Sequence, residues 1–406
     1  MNHYQETLDW LYAQLPVFQH QGASPSYKLD LSKTISFMSL LGNPERAFPV
    51  FHVAGTNGKG STSHMLASCL QEAGYRVGLY TSPHLVDYRE RIRLNGQLIS
   101  EASVTEFVDK WKTELLARKL SFFEMSVGMA FCAFAEAKVD VAVIEVGLGG
   151  RLDSTNVVHP IVTGVTSIDL DHQLYLGDTR AAIAREKAGI FKKGIPAVIG
   201  IRDQETEPVF LEVANAAQAP VHWVPATPHE ALPSDLLGDY QKDNQQMALC
   251  MLDAQTSFLV DAAARRRGMA HVIPNTGLQG RWQVVHESPF TVLDTAHNPH
   301  GLRAAMAQFV SIGEGAMHIV IGMVGDKDIA AALACLPKEA HYYFCAPSIQ
   351  RALAAERLRL AGAALGLRGE SFSDVHEAWK AAQMNATEQD RIYIGGSTFV
   401  VADALR

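Results

Sequence analysis

HVAGTNGKGST, residues His52–Thr62, decides the fold. The apolar run Val50–Ala54 enters it as a buried strand, and Ser61–Ala73 leaves it as a helix. The glycines between let successive backbone N–H groups turn towards one anion, and the helix N-terminus adds its positive dipole. Lys59 is placed to reach terminal phosphates, and Ser61 or Thr62 to face the phosphate or its metal. The loop departs from the strict G-x-x-x-x-G-K-[ST] pattern: its first glycine would fall at Val53, and Gly60 follows the lysine. The bland alternative, a turn that only starts a helix, leaves the lysine and the hydroxyls unexplained.

Outward from this loop the same alternation continues. Arg76–Tyr80, Val139–Val146, Ile161–Ser167 and Ala197–Ile201 read as strands, and Thr179–Gly189 as a helix stopped by its glycine. Apolar residues outnumber alternating polar ones in the central strands, as in a parallel sheet covered on both faces. The proline-rich stretch from Arg202 to Gly238 reads as edge strands and loops. A helix follows at Gln241–Ala254, then a linker at Pro274–Arg281, and then a second series of strands and helices. Its strands are expected at Thr291–Leu293, His318–Met323, His341–Phe344 and Arg391–Ile394. The expected fold is α/β. A P-loop-type, mostly parallel sheet domain spans 1–280, and a smaller Rossmann-like α/β domain spans 281–406.

Composition sets outer limits. The 406 residues are 48% hydrophobic and carry a formal net charge of −8 with no basic tract, which disfavours nucleic acid as a partner. No apolar stretch approaches bilayer length, the N-terminus lacks signal-peptide features, and the five cysteines follow no disulfide or zinc spacing. These point to a cytoplasmic protein acting on small molecules.

A bound chain of phosphates concentrates negative charge, so magnesium and a lysine are the expected neutralising charges. Glu145 ends the apolar strand VDVAVIEVG, at the sheet edge where open α/β folds bind ligands. Ser82 and His172 follow other strands at the same edge. A serine in a Thr-Ser-Pro turn, or a histidine after a strand, is more often structural; a carboxylate ending a buried strand is costly unless matched.

GTNGKGST resembles the compact phosphate loop of the Mur ligase superfamily, and more closely that of folylpolyglutamate and dihydrofolate synthases. TSPHL at Thr81–Leu85, EVGLGGRLDSTN at Glu145–Asn156, DHQLYLG at Asp171–Gly177, REKAGI at Arg185–Ile190 and LDTAHNPHG at Leu293–Gly301 resemble the same family, in family order. The resemblance implies ATP contacts at Thr56, Asn57, Gly58, Lys59, Gly60, Ser61, Asn244, Arg281 and Asp294, with ATP between the domains and the second closing over it. It assigns metal binding to Ser82, Glu145 and His172, and a carbamylated amine to Lys187. A pterin or folate would meet Leu29, Asp30, Ser121, Phe123, Asp153 and Ser154, with Phe123 stacking on the ring and Asp153 accepting from its donor edge. Core packing is the competing role for Phe123. Incoming L-glutamate would meet His297 and Ser397. Gln279, Ser121 and Ser154 stand where relatives carry Pro, Thr and Ala.

The reaction implied is ATP-dependent addition of L-glutamate to dihydropteroate or a folate through an acyl phosphate, with ATP as co-substrate, one or two magnesium ions, and a monomeric enzyme. A cell-wall muropeptide ligase, a nucleotide-binding regulator that makes no product, and a kinase are the rival readings.

Overall fold

The expected alternation builds two sheets in the computed structural model, which describes residues 2–14, 30–225, 232–325 and 328–406. The chain divides into two compact units. One takes in the described residues up to Asp235 together with Lys242–Leu278. The other takes in Leu236–Gln241 and the described residues from Gln279 to Arg406.

The strands of the first unit are β1 (Val50–Ala54), β2 (Val77–Tyr80), β3 (Ile92–Leu94), β4 (Gln97–Leu98), β5 (Val141–Glu145), β6 (Pro160–Val165), β7 (Ala197–Ile199) and β8 (Val221–Trp223). They lie in the order β4-β3-β2-β5-β1-β6-β7-β8. All neighbours are parallel except β2–β3 and β3–β4. Every residue of β1 and β5 is buried, as a parallel strand covered on both faces requires. β5 and β6 flank β1, and β2 lies beyond β5. The loops after β2, β5, β1 and β6 therefore leave one edge side by side. These loops carry Ser82, Gly147, the phosphate loop and the Thr166–Ser167 pair.

The helix Phe122–Glu136 starts on a capping box: Ser121 Oγ accepts from Glu124 N at 3.2 Å, and Glu124 Oε2 accepts from Ser121 N at 2.8 Å. Its Phe131 and Phe134 are fully buried and share an apolar cluster with Phe37, Val50 and Ile144. A second cluster gathers Val165, Ile183, Ile199 and Phe210.

The stretch after Arg202 corrects the sequence reading. Its edge strand exists as β8, but Glu207–Ala217 is a helix rather than loop. Pro208 stands in the first helical turn, where a missing N–H costs nothing, while Phe210 and Ala214 turn into the core. Asp203 Oδ1 accepts from the backbone N–H of Glu205 and Thr206, both at 3.0 Å, just ahead of the helix.

In the second unit the strands are β9 (Gln283–Glu287), β10 (Phe290–Asp294), β11 (Met317–Ile321), β12 (His341–Phe344), β13 (Arg368–Ser371) and β14 (Arg391–Gly395). Their order is β13-β12-β11-β14-β10-β9, parallel except for the β9–β10 hairpin. Leu302, Phe309, Ile319 and Tyr393 centre its core. β9 and β13 were left out of the sequence reading. All four residues of β13 are exposed, so this polar edge strand carries no hydrophobic pattern to find.

Candidate active site

The phosphate loop is shaped by its neighbours. Gly58 takes φ +87°, and a Cβ there would overlap Asn244 Oδ1; a Cβ at Gly55 would overlap the Thr166 hydroxyl. Thr56 N donates to Ser167 O at 2.7 Å, and Asn57 N donates to Ser167 Oγ at 2.9 Å. Asn57 O accepts from Thr166 Oγ1 at 2.6 Å and Ser167 Oγ at 3.0 Å. Asn244 is thus brought directly to the loop, and the helix Lys59–Glu72 begins at its end, with Gly60 in its first turn and Ser61 buried.

Two lysines meet at this loop. Lys59 Nζ donates to Gly55 O at 3.0 Å and Thr56 O at 3.1 Å. Lys187, buried in the last turn of the helix Arg180–Ala188, donates to the same Gly55 O at 2.8 Å. Burial, reinforced by the neighbouring Lys59 charge, pulls the Lys187 amine down to about 7. The two motifs around it interlock. Arg151 N donates to Glu186 O at 2.8 Å, and a Cβ on Gly150 would stand 2.8 Å from Glu186 O and Lys187 O.

Glu145 is 5% exposed at the end of β5, and Ser82 N donates to its Oε2 at 2.9 Å, so the structure brings these two together. His172 is exposed, in the left-handed region at φ +52°, heading the short helix Gln173–Leu176. Among the described residues no three His, Cys, Asp or Glu side chains form a preformed metal cage. A buried carboxylate that accepts from the backbone of a serine, one strand from the phosphate loop, fits an oxygen-preferring ion that keeps part of its water.

Phe123 and Asp153 also converge. Gly147, two residues beyond Glu145, has no room for a Cβ: the Phe123 ring would overlap it and Asp153 Oδ2 would stand 3.2 Å away. Asp153, 5% exposed, accepts from Leu148 N and Thr155 N, each at 2.9 Å, and from the Thr155 hydroxyl. His52, fully buried and held near 3 chiefly by that burial, contacts the Thr155 hydroxyl through Nε2 at 2.9 Å. Since that hydroxyl already donates to Asp153, the ring nitrogen is the donor, and a neutral relay backs the carboxylate. Ser154 is buried beside it. Ser121 is occupied as the helix cap, with its hydroxyl 2.8 Å from Glu124 Oε2. Asp30, exposed, accepts from Ser32 N at 2.8 Å, and Leu29 lies outside the described residues.

Asp153→Ala is therefore expected to act twice. Loss of the cap leaves buried N–H donors unmatched and lowers stability by about 1–3 kcal/mol. Use of the ring-bearing substrate should fall while ATP binding survives. Thermal melting and the two Michaelis constants check this; an unchanged specificity constant for dihydropteroate contradicts the recognition role.

In the second unit, β10 and β14 are neighbours, with Asp294 opposite Gly395, so Asp294, His297 and Ser397 follow adjacent strand ends. Asp294 is 1% exposed. Burial pushes its carboxyl up, while Tyr240 Oη at 2.5 Å, Trp282 N at 2.9 Å and Ala296 N at 2.8 Å donate to it. Arg281, in the same loop region, donates to the Thr295 hydroxyl and to Gly280 O. His297 Nδ1 contacts Thr295 O at 3.0 Å, which makes Nδ1 the protonated nitrogen. Ser397 caps the final helix, accepting from Phe399 N at 3.2 Å.

Comparison with known proteins matches the Mur ligase middle domain over residues 53–246 and the Mur ligase glutamate ligase domain over residues 280–398. The dihydrofolate synthase/folylpolyglutamate synthase of Escherichia coli K12 is 38% identical over 398 residues, covering 94% of this chain and 92% of its own length. That of Bacillus subtilis is 32% identical over 435 residues, covering 98% of both. The chain belongs to this branch of the Mur ligases. Within the family, the E. coli structure in complex with DHPP and ADP superposes with a TM-score of 0.86 at 35% identity, covering 98% of this chain and 96% of that one. A Yersinia pestis synthase complexed with AMPPNP and Mn ion gives 0.87 at 33% identity, covering 98% and 97%.

Sequence reasoning missed part of this Mur ligase site. Thr166 and Ser167 grip the phosphate loop, and Tyr240 anchors Asp294. The signal available for the first two was a pair of hydroxyls directly after a buried strand; Tyr240, 54 residues from its partner, gave none.

Proposed function

We propose that the chain is an ATP-dependent ligase that forms an amide between L-glutamate and the carboxylate of dihydropteroate, of a folate, or of both. The observation that carries this reading is the shared sheet edge. The phosphate loop follows β1, the Glu145–Ser82 pair follows β5 and β2, and Phe123 and Asp153 meet at Gly147 just beyond β5. This arrangement supports neighbouring positions for a phosphoryl donor and a ring-bearing carboxylate substrate in one unit.

Loop N–H groups and Lys59 hold the ATP phosphates, Asn244 reads the adenine edge through its amide, and Arg281 adds charge. Asp294 serves the nucleotide by fixing the Arg281 loop, and reaches the ribose where one of its three internal donors gives way. Ser82, Glu145 and His172 would hold a magnesium ion, which when bound would offset the charge of the two anions. Phe123 stacks on the ring, Asp153 accepts from its N–H edge, and Leu29, Asp30, Ser121 and Ser154 border it. The carboxylate oxygen attacks the terminal phosphorus, giving an acyl phosphate and ADP. The glutamate amine, held through His297 and Ser397, then attacks the acyl carbon, and Lys59 stabilises the oxyanion before phosphate leaves. No covalent enzyme intermediate is needed.

Lys187 adds carbon dioxide to its neutral amine, releasing a proton and leaving a carbamate whose oxygens serve a cation. The buried position beside Gly55 supports this, because an uncharged amine is its precondition.

The cell-wall reading gives way, since the folate enzymes match over nearly their full length. Among the described residues no helix is long and apolar enough to cross a membrane. A monomer in the cytoplasm, binding neither nucleic acid nor membrane, completes the proposal. Phosphate release tests it: release that requires both dihydropteroate or folate and glutamate fits a ligase. Release without either marks a nucleotide-hydrolysing regulator, and a stable phosphorylated acceptor marks a kinase.

A further inference from the structure

One peptide of the phosphate loop is held from behind. The carbonyl of Asn57 accepts from the Thr166 hydroxyl at 2.6 Å and from the Ser167 hydroxyl at 3.0 Å. Ser167 Oγ also accepts from Asn57 N at 2.9 Å, so both backbone polar groups of Asn57 meet that side chain. Thr166 Oγ1 lies 3.3 Å from Ala54 O as well; its single proton favours the shorter bond. The sheet fixes Thr166 in turn. It follows β6 directly, its N–H donates to Ala54 O at 3.0 Å, and a Cβ on Gly200 would stand 2.3 Å from its carbonyl oxygen. The loop rests on this side chain, since a Cβ on Gly55 would overlap the Thr166 hydroxyl.

A trans peptide is planar, with its C=O and N–H on opposite sides. Asn57 O, directed at Thr166 and Ser167, therefore sends the Gly58 N–H away from them. Gly58 is the N-cap of the helix Lys59–Glu72, so this N–H joins those of the first helical turn, where an anion is favoured. Thr56 N and Asn57 N instead donate back to Ser167. Gly58 takes φ +87°, in the left-handed region open to glycine, and glycine accepts either orientation of this peptide. Turned over, the peptide would aim a carbonyl oxygen at a bound phosphate and repel it.

We propose that Thr166 and Ser167 are positioning residues for phosphoryl transfer, whose hydroxyls latch the Asn57–Gly58 peptide with its N–H towards the phosphates of ATP. Each donates its one proton to Asn57 O, so both act through the loop and neither donates to the nucleotide. The loop's anion-facing N–H groups then start at Gly58. The inference rests on the reading of His52–Thr62 as the ATP phosphate loop.

Two substitutions at Thr166 separate hydrogen bonding from packing. Thr166→Val keeps the shape and loses the hydroxyl, whereas Thr166→Ser keeps the hydroxyl and loses a methyl group. ATP affinity is measured by calorimetric titration, alongside the KM for dihydropteroate at saturating ATP and the melting temperature. Thr166→Val should bind ATP roughly three- to tenfold more weakly, with the KM for dihydropteroate close to wild type. Thr166→Ser should recover most of that affinity even if it melts lower. Ser167→Ala should weaken ATP binding as Thr166→Val does, and it decides the matter alone if Thr166→Val fails to fold. The double variant should lose more than the product of the single losses, because either hydroxyl alone still holds the carbonyl. Affinity that follows the methyl group instead of the hydroxyl, or wild-type affinity in both Thr166→Val and Ser167→Ala, overturns the inference. Lys59→Ala distinguishes this from failure of the underlying reading. ATP affinity lost there but kept in the other two variants removes only the latch; wild-type affinity in Lys59→Ala removes the loop's assignment and the latch together.

Discussion

Lys59→Ala is expected to abolish turnover and weaken ATP binding while the protein stays folded. The half-buried amine bonds the carbonyls of its own loop, Gly55 O and Thr56 O, where water can take its place. Against phosphate nothing replaces it, because neutral backbone N–H groups cannot balance the charge of the transferring group. Loss of one such stabilising donor costs on the order of a hundred- to a thousandfold in rate. The mutation also lifts the Lys59 charge from Lys187, whose amine would regain some of its affinity for protons. Calorimetric ATP titration and a melting curve check both halves; wild-type ATP affinity in the folded variant contradicts the assignment.

Lys187→Ala is expected to be nearly inactive, and a small carboxylic acid added to the assay should restore part of the activity by standing in for the carbamate. With the amine held near 7, it is about half uncharged at neutral pH and mostly uncharged at pH 8. Bicarbonate should therefore activate enzyme stripped of carbon dioxide more strongly at pH 8 than at pH 6. The opposite trend would point to a lysine acting as a cation. The deciding observation is electron density from a crystal grown with bicarbonate, magnesium and nucleotide. A bare, well-ordered amine at Lys187 refutes the modification.

The buried strands were the legible part of the fold, because a parallel strand covered on both faces must be apolar throughout. Val50–Ala54 and His341–Phe344 were placed to the residue. Elements held by less local physics were not. Glu207–Ala217 hid among prolines, one of which starts the helix, and the polar edge strand β13 has no buried face to leave a pattern. At the site, loop chemistry pointed to Lys59 directly, since lysine among glycines has few other uses. The meeting of Phe123 and Asp153 over Gly147 depends on a glycine 24 residues from the phenylalanine, a closeness no local pattern announces.

The most direct test of the ligase reading is the mass of the product. Purified protein is given ATP, magnesium, glutamate and either dihydropteroate or tetrahydrofolate. The expected result is an acceptor heavier by one glutamyl residue, formed only when every component is present and matched by equal ADP. ADP formed with the acceptor's mass unchanged, or an acceptor heavier by a phosphoryl group alone, would contradict the account.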